Sequence, residues 1–154
     1  MVHPPSEKKE DWGRSEVYSL KNGASSVFLA MHDDGEVVCE DVEARHHDIP
    51  FRIIPVGDLH VRLQCHINSL YLSVDQSSGQ VRGVGHEEPS TLWAAVGGEG
   101  EYSFCSNSSN TFLSVDGTDV RLSADNSTDH VWFVVEPTTV PPPRIAKYVI
   151  VLSV

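Results

Sequence analysis

An all-β chain made of three similar units is what this sequence predicts, and three observations carry the prediction. Phe28-Leu29-Ala30-Met31, Tyr71-Leu72-Ser73-Val74 and Phe112-Leu113-Ser114-Val115 recur at intervals of 43 and 41 residues. Leu20, Leu63 and Phe104 each stand eight residues before the aromatic of one of these segments, and Phe51, Trp93 and Trp132 follow by 20 to 23. Period-two alternation with Gly and Asp/Asn/Ser turns dominates, and a helical i, i+3, i+4 stripe is nearly absent. Three four-strand units make twelve strands in pseudo-threefold repeats, the count of a β-trefoil.

Taken in order, the first unit (16–56) reads as strands 16–22, 27–33, 36–41 and 49–56. The second (58–97) reads as 58–65, 70–75, 80–85 and 90–97, and the third (101–136) as 101–107, 111–117, 119–124 and 130–136. Asn22-Gly23, Asp33-Asp34-Gly35, Ser77-Ser78-Gly79 and Asp116-Gly117 supply turns whose residues tolerate positive φ or cap themselves, so the strands they join are antiparallel neighbours. The apolar pattern points Leu20, Phe28, Phe51, Leu63, Tyr71, Trp93, Phe104, Phe112 and Trp132 inward. Residues 1–15 form a polar leader to this domain (16–137), and 138–154 a proline linker followed by an apolar strand.

Composition fits one compact domain. A chain of 154 residues buries roughly two-thirds of its unfolded surface and needs neither disulfide nor metal for stability. The 11 basic and 22 acidic residues leave a formal charge of −11, which disfavours nucleic acid and anionic membrane as partners. The polar start and the absence of a long apolar run read as neither signal peptide nor membrane span, so a cytoplasmic location is expected. Cys39, Cys65 and Cys105 fit a reducing compartment, the first two as core residues and Cys105 facing outward. In that compartment the sequons at Asn107 and Asn126 have no use.

The strand, the Tyr/Phe-Leu-Ser segment, the Gly-bearing turn, the Val-x-x step and the later aromatic strand together are similar to the repeats of fascin-type, actin-crosslinking trefoils. The likeness covers residues 16 to 137 and is strongest from Leu70-Tyr71-Leu72-Ser73-Val74-Asp75 to Pro89-Ser90-Thr91-Leu92-Trp93. Phe28-Leu29-Ala30-Met31 also resembles a growth-factor strand of the same fold. The resemblance implies the fold, and actin binding of the fascin or hisactophilin kind as one function. Two features depart from other trefoil families: the Lys/Arg clusters of the growth factors are missing, and the Gln-x-Trp of ricin-type lectins is replaced by Thr91-Leu92-Trp93 and His130-Val131-Trp132.

No Gly-x-Ser-x-Gly elbow, His-Glu-x-x-His, Walker loop or Rossmann fingerprint occurs, so no catalytic residue, enzyme activity or cofactor is expected. Loops in equivalent places are the natural binding sites. Asp33, Asp34, Asp75, Gln76, Asp116 and Thr118 end the second strand of each unit, where carboxylate and amide groups accept hydrogen bonds from sugar hydroxyls while His or Trp supplies an apolar face. His46 and His47 lie in an acidic loop of the first unit and join these candidates; neighbouring imidazoles on an extended strand point apart, so no metal is assigned to them. Eight histidines also suit a pH-sensitive charge, from −11 toward about −3 when all are protonated.

The expected function is therefore a non-enzymatic module that recognises glycans, multivalently where loops repeat their chemistry. An actin-binding protein is the second reading and a protease inhibitor presenting Arg144 the third. The strand 145–152 beyond Pro141-Pro142-Pro143 is expected either to pack on its own domain or to exchange with a second copy as a homodimer.

Overall fold

A computed structural model describes residues 12, 16–41 and 49–138. The expectations for His46, His47, Arg144 and the strand 145–152 lie outside those residues. Twelve strands follow one another: β1 (Val17–Asn22), β2 (Phe28–Met31), β3 (Val37–Glu40), β4 (Phe51–Val56), β5 (His60–Cys65) and β6 (Tyr71–Val74), then β7 (Val81–Val84), β8 (Trp93–Gly98), β9 (Glu101–Ser106), β10 (Phe112–Asp116), β11 (Asp119–Ser123) and β12 (Phe133–Thr138).

The pairings define the architecture. β1 pairs with β4, β4 with β5, β5 with β8, β8 with β9, β9 with β12, and β12 with β1, all antiparallel, so six strands close on themselves as a barrel. The remaining strands form three hairpins, β2–β3, β6–β7 and β10–β11. They meet one another through β3, β7 and β11. A closed barrel capped by a hairpin triplet is the β-trefoil predicted from the repeat.

One local device recurs in every unit. Asn22, Cys65 and Ser106, at the ends of β1, β5 and β9, each accept a backbone bond from the residue four positions on, at 3.0, 2.9 and 2.8 Å. The donors Ser26, Ser69 and Asn110 all take positive φ, 59°, 63° and 58°. A left-handed residue in the same place turns each barrel strand into its hairpin strand, and only short polar side chains stand there. Asn22 goes further: its amide donates to the His130 carbonyl at 2.9 Å and so ties the first unit to the third.

The core is layered by repeat. Leu20, Leu63 and Phe104 are fully buried, as are Phe51, Trp93 and Phe133. Trp93 is tolerated there because its indole N–H donates to the Leu72 carbonyl at 3.0 Å. Trp12 is buried as well, edge-on to Tyr102 of the third unit at 5.5 Å between ring centroids.

The inward assignments of Phe28, Tyr71, Phe112 and Trp132 are corrected. Leu29, Leu72 and Leu113 point into the core, whereas Phe28, Tyr71 and Phe112 are only half-buried. In the third unit the core aromatic is Phe133, and Trp132 precedes it half-buried, its indole donating to the Asn126 carbonyl at 3.0 Å. The cause is a 3-10 turn before each of the last barrel strands, Pro89–Thr91 and Asp129–Val131. It delays β8 and β12 to Trp93 and Phe133, where continuous strands had been expected from 90 and 130.

Where the hairpins converge, space is minimal. The Gly83 N–H donates to the Gly35 carbonyl at 2.8 Å, and a Cβ on Gly83 would strike the Met31 sulfur. Gly35 itself turns at φ +91°, a conformation that disfavours any side chain.

These burials order the expected stabilities. Trp93→Ala and Phe133→Ala should each cost about 3–5 kcal/mol, Trp132→Ala clearly less, and the surface change Glu87→Ala within about 0.5 kcal/mol of zero. Urea midpoints measure this; a Trp132→Ala loss equal to that of Phe133→Ala would return the register to the one expected from sequence.

Candidate functional site

Two clefts lie on the hairpin side of the barrel. The larger, about 740 Å³, is framed by all three hairpins and lined by Asp34, Glu36, Gln80, Arg82, Thr118, Asp119 and Arg121 among others. The smaller, about 350 Å³, belongs to the second unit and is lined by Ser73, Val74, Asp75, Gln76, Arg82, Gly83, Val84, Glu88 and Ser90. Arg82 borders both.

The smaller cleft is built by the local chain. Ser73 and Arg82 face each other across the β6–β7 hairpin, and Ser90 arrives on the Pro89–Thr91 turn. Pro89 opens that turn with its φ already set, and the Thr91 hydroxyl accepts from Arg62 Nε at 2.8 Å, anchoring the turn to β5. Ser73 and Ser90 are both buried and share a hydrogen bond of 2.8 Å. The Ser90 hydroxyl also donates to Glu88 Oε1 at 2.9 Å, and His86 Nε2 stands 2.7 Å from Glu88 Oε2. No serine touches the imidazole in this chain of contacts, so it lacks the base-to-nucleophile bond of a hydrolytic triad. Its hydroxyls and carboxylates present donors and acceptors to an open concavity.

At the cleft's edge the Asp75 carboxylate accepts from the Ser77 hydroxyl at 2.9 Å and the Ser77 N–H at 3.1 Å. Those bonds hold its pKa below the usual carboxylate range. It remains an acceptor well into acid.

The third unit repeats the scheme in closed form. Ser114 faces Arg121 in the same register, and Asp116 matches Asp75. Arg121 is drawn back onto its own hairpin, 3.2 Å from Asp119 and 3.8 Å from Asp116. His130, in the place of Ser90, lies with Nδ1 2.9 Å from the Val115 carbonyl. The first unit has Ala30 opposite Val38 and no such pair.

The residues expected from sequence therefore divide. Asp75 and Gln76 line the smaller cleft, while Asp34 and Thr118 come together in the larger one. Asp33 accepts from Asn68 at 3.4 Å and links the first two units, and Asp116 is engaged by Arg121. The apolar face in the smaller cleft comes from the half-buried Val84, and among the described residues no Trp or His lines either cleft. Arg82, Glu88, Ser73 and Ser90 went unrecognised. Their signal was present in the recurring Leu-Ser-Val segments and in the pairs Val81-Arg82 and Val120-Arg121.

With the geometry in place, likeness to known proteins can be stated. The solved structure of a designed 3-fold symmetric protein, ThreeFoil, matches with a TM-score of 0.70 at 19% identity, covering 78% of this chain and 97% of that one. What is shared is the fold. No protein-family model matches the sequence, and no curated protein does. Among the described residues no helix is long and apolar enough to cross a membrane.

Cys39 and Cys65 are core thiols, and Cys105 is half-buried outside the core. Burial, with the Glu40 and Asp119 carboxylates, pushes Cys39 up to about 12, and burial alone raises the half-buried Cys105. Thiolate is the reactive form, so both should react slowly with a disulfide reagent near neutral pH, Cys39 the slower, and rapidly once the chain is unfolded in urea. Fast, stoichiometric labelling of Cys105 in the folded protein would contradict this.

Proposed function

We propose that this chain is a non-enzymatic recognition module that binds neutral carbohydrate in the cleft of the second unit. The observation that carries the reading is the buried Ser73–Ser90 hydroxyl pair, ringed by Asp75, Gln76, Glu88 and Arg82 in one concavity. Sugar hydroxyls are donors and acceptors at once, and such a ring offers them both kinds of partner. Val84, half-buried at the cleft, supplies an apolar patch for the C–H face of a ring. The formal charge of −11 favours a neutral glycan over a sulfated or sialylated one. At about 350 Å³ the cleft suits a ligand at the small end of the usual range.

A glycan array followed by calorimetry on its hits tests the reading. Arg82→Ala and Glu88→Gln should each weaken binding about 10- to 100-fold, the scale of a hydrogen bond to a charged group. Asp116→Asn, at the matching place in the third unit, should leave it unchanged. Because Asp75 is held below the ordinary carboxylate pKa of about 3.9, its share of the binding should persist down to about pH 4. No saturable binding to any neutral glycan at high protein concentration would overturn the proposal.

A further inference from the structure

We infer, resting on the carbohydrate reading, that the ligand is a neutral oligosaccharide whose chain runs from the cleft of the second unit over β7 into the larger cleft between the hairpins. The two concavities share a residue, since Arg82 borders both. They also share a hairpin. The Asp75 N–H donates to the Gln80 carbonyl at 2.8 Å and the Gly79 N–H to the Asp75 carbonyl at 2.7 Å, closing the turn between β6 and β7. The first residues of that turn, Asp75 and Gln76, line the smaller cleft, and its last, Gly79 and Gln80, line the larger.

β7 is thus the boundary between the clefts, and its backbone comes close to both. Gly83 lines the smaller cleft without a side chain, and Gly35, whose carbonyl accepts the Gly83 N–H at 2.8 Å, does the same for the larger. Arg82 stands beside Gly83 with a long, exposed side chain that can lie along a ligand crossing the strand. Its charge is also differently disposed from that of its counterpart. Arg121 of the third unit is held 3.2 Å from Asp119 and 3.8 Å from Asp116, whereas Arg82 enters none of the ion pairs among the described residues. The guanidinium has five N–H donors in a planar fork, which suits hydroxyl oxygens on either side of the strand.

The larger cleft has the mixed lining that further sugar units require. Val37, Val81, Val120 and Leu122 are half-buried there and offer apolar surface to the C–H faces of rings. Gln80 and Thr118 are exposed beside them, and an amide or a hydroxyl both donates and accepts, as a sugar hydroxyl does. The carboxylates of Asp34, Glu36 and Asp119 outnumber the two arginines in the cleft, which disfavours a sulfated or sialylated chain. At about 740 Å³ the cleft lies well inside the range of small-molecule sites and has room for units beyond those held in the smaller one. The three hairpins thereby contribute to one continuous site, without repeating the same site three times.

Calorimetry on the full chain with gluco-, manno- and galacto-oligosaccharides, from the disaccharide to the hexasaccharide, tests this. Within a series that binds, affinity should rise at least about 10-fold from the shortest binder to the longest. The paired change Gln80→Ala with Thr118→Val should remove that gain and leave the shortest binder unaffected, while Glu88→Gln weakens short and long ligands alike. Both substituted side chains of the pair are exposed, and unchanged urea midpoints would confirm that the variants fold. Affinity that is independent of length, or a gain with length that survives the paired change, overturns the extension and leaves the carbohydrate reading standing. Absence of binding at every length in all three series overturns both.

Discussion

Phe51, Trp93 and Phe133 come from three different repeats, and no single repeat has the strands to bury its own. A four-strand unit with one apolar face leaves that face in water until two others close over it. Each of these side chains opens the last barrel strand of its unit, so their shared burial fixes where β4, β8 and β12 begin and how each meets the next unit. Burying such an aromatic is worth several kcal/mol against a total stability of the order of 5–15 kcal/mol. The left-handed turns at Ser26, Ser69 and Asn110 and the 3-10 turns before β8 and β12 are the local geometry that this closure requires.

The threefold architecture was legible because repetition is a stronger signal than local propensity. A pattern that occurs three times fixes strand number and order even where single strands are ambiguous. What could not be read was phase. Trp132 and Phe133 are adjacent, as are Phe28 and Leu29, and period-two alternation alone cannot say which member of such a pair faces the core. The 3-10 turn decides the first case by delaying the strand, and closeness of packing decides the second. Leu29, Leu72 and Leu113 fit the crowded interior, while Tyr71 stays at the edge where its hydroxyl reaches Glu87 at 3.4 Å.

The candidate site was legible in part for a related reason. Equivalent loops could be aligned, which brought out Asp75, Gln76, Asp34 and Thr118, but the side chains completing the smaller cleft come from elsewhere in sequence. Ser90 and Glu88 belong to the 3-10 turn, and Arg82 stands opposite Ser73 through strand register. Neither contact is visible until the hairpin is paired and the turn folded back upon it. His46 and His47 lie outside the described residues.

Similar loops suggest that several units bind together, yet the described hairpins present different groups. The layers that hold the fold together are shared by all three units, which leaves hairpin surfaces free to diverge without loss of stability. They have diverged. The second unit keeps its serines paired around an open concavity, the third folds Arg121 onto Asp119 and Asp116 and seats His130 against Val115, and the first replaces the facing pair by Ala30 and Val38. Threefold symmetry in the core thus coexists with hairpin surfaces that differ from unit to unit. On the proposed reading, affinity comes from contacts within the cleft of the second unit, since avidity requires sites that can be occupied together and the described hairpins of the other two units do not present the same arrangement.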